Sequence, residues 1–258
     1  PGVIMITTVT AQAAMNLKDR LFESTVTGPG DFVFDQRVVS VFPDMINRSV
    51  PGYGTIVPMI GMLARRYAQD GTRLYDLGCS LGAVTMAMQK AVTAKNVDIV
   101  AVDNSRAMID GLNARLEGNG SGDQPFVNAR HGDLLETEIK NASVVVLNFT
   151  LQFIAPEHRA GLLKRIADGM VPGGILALSE KIRFEDPREQ ALQTEWHHDF
   201  KRAQGYSDLE IARKRDALEK VLIPDSLPQH RKRLEEAGFD PVHSWFQGFN
   251  FVSLVAFR

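Results

Sequence analysis

Ten residues constrain this chain more than any others: Leu74-Tyr-Asp-Leu-Gly-Cys-Ser-Leu-Gly-Ala83. Apolar residues lead into an acid, a glycine-bearing turn follows, and an amphipathic run extends from Leu81 to about Val92. The pattern predicts a strand over 74–79, a tight turn and a helix over 81–92. Gly78 permits backbone angles or close approaches that a side chain would block. The helix start behind it offers free N–H groups to the polar end of a ligand. Some ~20 residues further on, the distance at which nucleotide folds carry their ribose acid, Asp98-Ile-Val-Ala-Val-Asp103 reads as a second buried strand ending in a carboxylate. An acid at that point is placed to accept hydrogen bonds from a ribose diol.

Two ligand classes use such a layout. A dinucleotide site wants G-x-G-x-x-G, so that backbone can press against a pyrophosphate. Here the spacing is Gly78-x-x-x-Gly82, with Asp76 two residues before the first glycine. An acid there suits a ligand with an amino group and no phosphate. S-adenosylmethionine fits that description: its amino-acid end is zwitterionic, and its ribose would meet Asp103. A glycine turn without any ligand is the plain alternative.

Composition limits the rest. With 258 residues, 44% of them hydrophobic, the chain can bury a full core as one large domain or one domain with an insertion. A net charge of −2 gives no global field toward nucleic acid or membrane. One cysteine excludes an internal disulfide framework and fits a reducing compartment, so a cytoplasmic location is expected. No apolar run approaches bilayer-spanning length. Residues 1–15 read as a leader or disordered extension, and 16–258 as one domain.

Before the central motif, Asn16 to Phe22 is expected to form one turn of helix that Thr27-Gly-Pro-Gly30 breaks. Asp31-Phe-Val-Phe-Asp35 supplies aromatics, and a short helix within 34–42 is expected to end before Pro43. Ser49 or Gly52 can cap a helix from Ile56 to Tyr67, which puts Tyr53 near a helix start. As an ordinary half-buried aromatic, Tyr53 needs no function.

The centre alternates strand and helix. Helix 105–117 follows strand 98–103, and a glycine-rich loop at 117–123 leads to strand 126–130. Strand 141–149, helix 156–170 and a fifth strand, 174–180, come next. Near-continuous apolar strands between amphipathic helices imply a parallel sheet covered on both faces. The chain then changes character: helix 229–237 leads into two strands, 241–247 and 250–257, joined by a short turn. The expectation is therefore an α/β, Rossmann-like class I methyltransferase fold, with a mostly parallel seven-stranded sheet and a C-terminal antiparallel hairpin. A charged helical insertion, 184–227, follows strand five and can serve as a lid, a dimer element or both.

Ligands of such sheets sit at the carboxyl ends of the strands, where Gly78, Asp103, Asp133 and Asn148 all fall. Asp133 can meet an adenine amino group or merely cap a turn. Asn148 can reach the sulfonium neighbourhood or merely shape a turn. Cys79 reads as small filler, with no base beside it to activate it. His197-His-Asp199 invites a metal reading, but successive helical residues point about 100° apart and cannot chelate together, so no metal is expected. Arg213-Lys-Arg215 alone reads as a solvated helix face.

Several stretches together carry a family likeness: Val41 to Tyr53, Tyr75-Asp-Leu-Gly-Cys-Ser-Leu-Gly82, Asp103-Asn-Ser105, Val144 to Phe153, Leu178-Ser-Glu-Lys181, His197 to Arg202 and Trp245-Phe-Gln247. From about residue 17 to the C-terminus the chain resembles the carboxy-S-adenosylmethionine synthase family. The resemblance implies that S-adenosylmethionine and prephenate become carboxy-S-adenosylmethionine and phenylpyruvate. The product would pass to a tRNA carboxymethyltransferase that modifies wobble uridine, without this protein binding nucleic acid or membrane. It also implies that Tyr53, Gly78, Cys79, Ser80, Asp103, Asn104, Asp133, Leu134 and Asn148 hold the cofactor, that Arg215 meets the new carboxylate, and that the protein is a homodimer. Arg215 and Tyr53 are the catalytic candidates. A guanidinium beside a sulfonium is repulsive, whereas a carboxylate on the methyl carbon makes it favourable by about 1.5–3 kcal/mol. The rival is a conventional S-adenosylmethionine-dependent methyltransferase acting on tRNA or a small acid. A non-catalytic carrier of the ligand is a third class.

Overall fold

The computed structural model describes residues 18–21, 36–117, 124–218 and 221–258. The 1–15 extension, the break at 27–30, the aromatics of 31–35 and most of the 117–123 loop lie outside them. Of the expected helical turn at 16–22, the described residues 18–21 carry no helix.

Seven strands form one sheet: β1 (Arg73–Leu77), β2 (Asp98–Asp103), β3 (Phe126–His131), β4 (Ala142–Asn148), β5 (Met170–Lys181), β6 (Val242–Gly248) and β7 (Phe251–Phe257). Their order is β3-β2-β1-β4-β5-β7-β6. The first five are parallel, and β7 runs antiparallel to both β5 and β6. The winding leaves β1 toward β2 on one side and toward β4 on the other. The C-terminal ends of β1 and β4 therefore flank the switch point where such sheets bind ligands.

Eight helices are described: α1 (Gln36–Ser49), α2 (Tyr53–Tyr67), α3 (Ala83–Ala91), α4 (Arg106–Leu116), α5 (Pro156–Gly169), α6 (Pro187–Ala203), α7 (Asp208–Leu218) and α8 (Leu227–Ala237). Successive strand residues point to opposite faces. Leu74, Val144, Val146 and Ile175 accordingly pack with Ile56, Ile60 and Met88 of α2 and α3. Tyr75, Leu77, Val145 and Leu176 pack with Leu162, Ile166 and Leu234 of α5 and α8. Apolar runs buried on both faces are why these strands read as continuous rather than alternating.

Several boundaries depart from the sequence reading, among them α2, which begins at Tyr53 rather than Ile56. α1 does not end before Pro43 but passes through it to Ser49. The proline removes one donor, yet Met45 and Arg48 beyond it are buried, and the Asn47 amide donates to the Pro43 carbonyl at 2.7 Å. β5 begins at Met170 rather than 174, because Met170 pairs with Ala142 across a register shift. α3 starts at Ala83, since Gly82 takes a left-handed φ of 77° as its N-cap. Of the two cap candidates before α2, Gly52 is the N-cap, and Ser49 closes α1 instead. The insertion comprises α6 and α7, and an isolated bridge between Arg183 and Ser226 closes its base.

Candidate functional site

The loops after β1, β2, β3 and β4 meet α1, the start of α2 and the insertion helices at the carboxyl edge of the sheet, around a cavity of about 450 Å³. The turn after β1 sets its floor. Gly78 holds a φ of 82°, and the N–H groups of Gly78 and Cys79 donate to the Val102 carbonyl at 2.8 and 3.0 Å. A Cβ on Gly78 would lie 2.4 Å from Thr150, so the residue is required by both angle and space. Ser80 also takes a left-handed φ, 47°, uncommon for a residue with a side chain. Its N–H donates to Asp103 Oδ2 at 2.9 Å, which holds the turn there.

Asp103 is buried and takes a second donor, the Ser105 N–H, at 2.8 Å on Oδ1. Burial raises its carboxyl above the ordinary range, while the two backbone donors oppose that shift. Each oxygen retains a lone pair for a further donor. Asp76 is buried at the end of β1 and accepts from Thr85 Oγ1 at 2.6 Å. Burial pushes it up to about 6, with Asp103 adding to the rise. Asn148 ends β4, and its buried Oδ1 has no hydrogen-bond partner among the described residues. A buried acceptor left unpaired in a cavity wall fits a hydrogen-bond donor on a ligand.

Tyr53 is the first residue of α2 and half-buried, its ring centroid 6.3 Å from that of Phe149. Burial, then Asp76, raises its hydroxyl further, so it stays a neutral donor. Asp133 accepts the Leu135 N–H at 2.8 Å and so caps a turn, and it lines the cavity beside buried Leu134. Asn104 is exposed at the rim, and its carbonyl lies 3.1 Å from His131 Nε2. Cys79 is buried, and burial followed by Asp76 and Asp103 raises its thiol, which suits filler rather than a nucleophile.

A second group of lining residues is mostly cationic. Lys181 ends β5, His197 and Lys201 share a face of α6 at a spacing of four, and Lys214 projects from α7; all four line the cavity. Lys214 donates to Ser49 Oγ at 2.8 Å and lies 3.5 Å from Asp19 Oδ2. Burial lowers it to about 8. Lys201 falls to about 7, first through burial and then through Lys214 and Lys181. His197 falls to about 2, chiefly through burial, and as a neutral ring its Nε2–H donates to the Ser49 carbonyl at 2.8 Å.

All the residues expected to hold a cofactor line this cavity except Arg215. Arg215 lies on the outer side of α7, its side chain 53% exposed and its Nη2 3.0 Å from Asp216 Oδ1. Neighbours on a helix point about 100° apart, so within one chain Lys214 faces inward and Arg215 does not. Sequence reasoning gave no role to Lys181, Lys201 or Lys214, because an isolated lysine reads as solvated. The one local signal was the four-residue spacing from His197 to Lys201.

A family model described as a methyltransferase domain matches residues 75–176. The carboxy-S-adenosyl-L-methionine synthase of Marinobacter nauticus is 56% identical over 242 residues, covering 94% of this chain and 96% of that protein. The synthase of the same name from Trichlorobacter lovleyi is 57% identical over 240 residues, covering 93% and 98%. Among solved structures, a putative O-methyltransferase from Nostoc punctiforme aligns with a TM-score of 0.59 at 14% identity, covering 86% of this chain and 59% of that one. Human N-acetylserotonin methyltransferase in complex with SAM gives 0.51 at 16%, covering 81% and 60%. At such identities the structural likeness establishes the fold alone.

Proposed function

Because the chain belongs to the carboxy-S-adenosyl-L-methionine synthase family, we propose that it carboxylates S-adenosylmethionine with prephenate as the carboxyl donor. The observation that carries this reading is that two kinds of charge line one cavity. Buried Asp76 and Asp103 close β1 and β2, and the ammonium groups of Lys181, Lys201 and Lys214 come from β5, α6 and α7. The acids suit the amino group and ribose of the adenosyl ligand. In this reading Ser80, Asn104, Asp133 and Leu134 border the adenosine, and Asn148 Oδ1 accepts a donor from the ligand. The ammonium groups suit carboxylates, which a conventional methyl acceptor has no need to carry.

The chemistry balances without a resident cofactor. The bond between the ring and its carboxyl group breaks in prephenate, releasing CO2, and the freed electron pair aromatises the ring as its hydroxyl leaves as hydroxide. Phenylpyruvate results. The hydroxide takes a proton from the sulfonium methyl, forming water, and the resulting ylide carbon attacks CO2 to give the carboxymethyl sulfonium. The enzyme's part is to hold both reactants, exclude bulk water and keep CO2 near the ylide. Tyr53, a neutral hydroxyl at the cavity wall, supplies a donor to the new carboxylate. For Arg215, which faces outward from α7, the reading is that it serves the cavity of a second subunit, with α6 and α7 as the dimer element. The product would then pass to a tRNA carboxymethyltransferase, consistent with a chain of net charge −2 and no basic stripe of its own.

The test is incubation with S-adenosylmethionine, with and without prephenate, followed by mass spectrometry. Carboxy-S-adenosylmethionine that forms only with prephenate is the expected result. S-adenosylhomocysteine in its place would transfer the protein to the conventional methyltransferases.

A further inference from the structure

Half-buried Lys181 and buried Lys201 are set apart from the other charges at the cavity. Lys214 has its own compensation, from Ser49 Oγ at 2.8 Å and Asp19 Oδ2 at 3.5 Å. The ammonium groups of Lys181 and Lys201 have neither a hydrogen bond nor an ion pair among the described residues, although Lys201 is only 7% exposed. The charges acting on Lys201 are Lys214 and Lys181, both of its own sign. Glu180, adjacent in sequence, does not neutralise Lys181. It points to the other face of β5 and accepts the N–H groups of Leu151 and Gln152 at 2.8 and 2.9 Å. His197 is neutral and engaged with Ser49. Burying cations without an anion costs free energy that a fold keeps only where something returns it.

We propose that Lys181 and Lys201 form a carboxylate subsite for the co-substrate, and that they grip the carboxylate it keeps rather than the one it loses. The assignment rests on the reading of prephenate as donor. A cation against the departing carboxylate would stabilise the ground state and hold the charge in place, raising the barrier to CO2 loss. Against the pyruvyl carboxylate, which persists into phenylpyruvate, the same cation binds without opposing the chemistry. The lysines thereby separate the two carboxylates of one molecule. Their protonation supports this: each ammonium is lowered by burial, and an arriving anion would restore it.

The experiment uses the protein loaded with S-adenosylhomocysteine, which lacks the methyl group and cannot react. Prephenate and phenylpyruvate are each titrated calorimetrically into wild type, Lys181→Met and Lys201→Met. Both ligands are expected to bind each variant at least about tenfold more weakly, while affinity for S-adenosylhomocysteine changes less than about threefold. Thermal midpoints of the ligand-free variants should hold or rise, since an unpaired buried charge has been replaced by an apolar chain of similar length; a fall in affinity with such a midpoint is not a failure to fold. Unchanged binding of prephenate overturns the subsite. Loss of S-adenosylhomocysteine affinity instead would assign the lysines to the amino-acid carboxylate of the adenosyl ligand. Weakened prephenate with unweakened phenylpyruvate would place them on the departing carboxylate. If lysine-dependent binding is found but wild type yields no carboxylated product, the subsite stands and the donor identity alone falls.

Discussion

Asp76 and Asp103 sit together at the end of β1 and β2, yet they answer pH differently from ordinary surface acids. Asp76, whose carboxyl would ordinarily titrate near 3.8, is pushed up to about 6 by burial. The ligand-free fold is therefore favoured by its proton below about 3.8 and loses that contribution as pH rises through about 6. Binding of a ligand amino group has the opposite sign, because it needs the carboxylate. Affinity for S-adenosylmethionine should rise between pH 5 and about 7 and then level off. Asp76→Asn should remove the rise and weaken binding about tenfold, and calorimetry across that range decides it. Asp103→Ala should also lower affinity, through lost ribose contacts and through release of the Ser80 N–H that Asp103 accepts. An unchanged dissociation constant would remove Asp103 from that role. These acids were legible from residue order alone, because a strand that ends in an acid beside a glycine turn leaves few other placements. The lysines of the same cavity were not. What buries Lys201 is the packing of α6 over the cavity, and no local pattern encodes that.

At the scale of elements, the turn between β1 and α3 holds three left-handed residues, Gly78, Ser80 and Gly82. Gly78→Ala would force a side chain into a φ of 82° and to within 2.4 Å of Thr150. Destabilisation of about 1–3 kcal/mol is expected, read as a lower urea midpoint at unchanged slope, together with weakened cofactor binding. The strand, turn and helix here follow from apolar periodicity and glycine spacing, so sequence and structure agree to within two residues. Elsewhere local rules lost to tertiary packing. Pro43 ordinarily stops a helix, but α1 continues because Met45 and Arg48 are worth burying. The fifth strand is expected from Gly174, yet Met170 to Gly173 also belong to β5. In α7, Arg213, Lys214 and Arg215 are equivalent in the chain and become distinct only when one face of the helix meets α1.

Across the whole molecule, the arrangement of sheet and insertion leaves Arg215 outside its own cavity. The proposal that it serves a second subunit has a signature that a single-chain role lacks. Arg215→Ala should retain S-adenosylmethionine binding and lose carboxylated product. Asp103→Ala should lose product through weak cofactor binding. Mixed after unfolding and refolding together, the two inactive variants should regain activity, because some dimers then carry one undamaged site. Recovery of up to about a quarter of wild-type turnover is the statistical ceiling for random pairing of equal amounts of two subunits in dimers. No recovery would return Arg215 to its own chain or remove it altogether. Fold class was readable at this scale because alternating apolar strands and amphipathic helices ending in a hairpin admit few topologies. Subunit arrangement was not readable, since it depends on which faces of α6 and α7 remain outward.

Asp19 gathers partners that lie far apart along the chain. Its N–H donates to Asp44 Oδ2 at 2.7 Å, and the Tyr206 hydroxyl donates to its Oδ2 at 2.5 Å. The ammonium of Lys214 stands 3.5 Å from that same oxygen. Helix α7 is thus moored at the front of the chain as well as through its own connections. Because Lys214 of α7 and Asp19 share these contacts, α7 and the stretch 18–21 should loosen as one unit. Hydrogen exchange that quickens in both together on ligand removal, and slows in both on its return, is the behaviour such a latch would display.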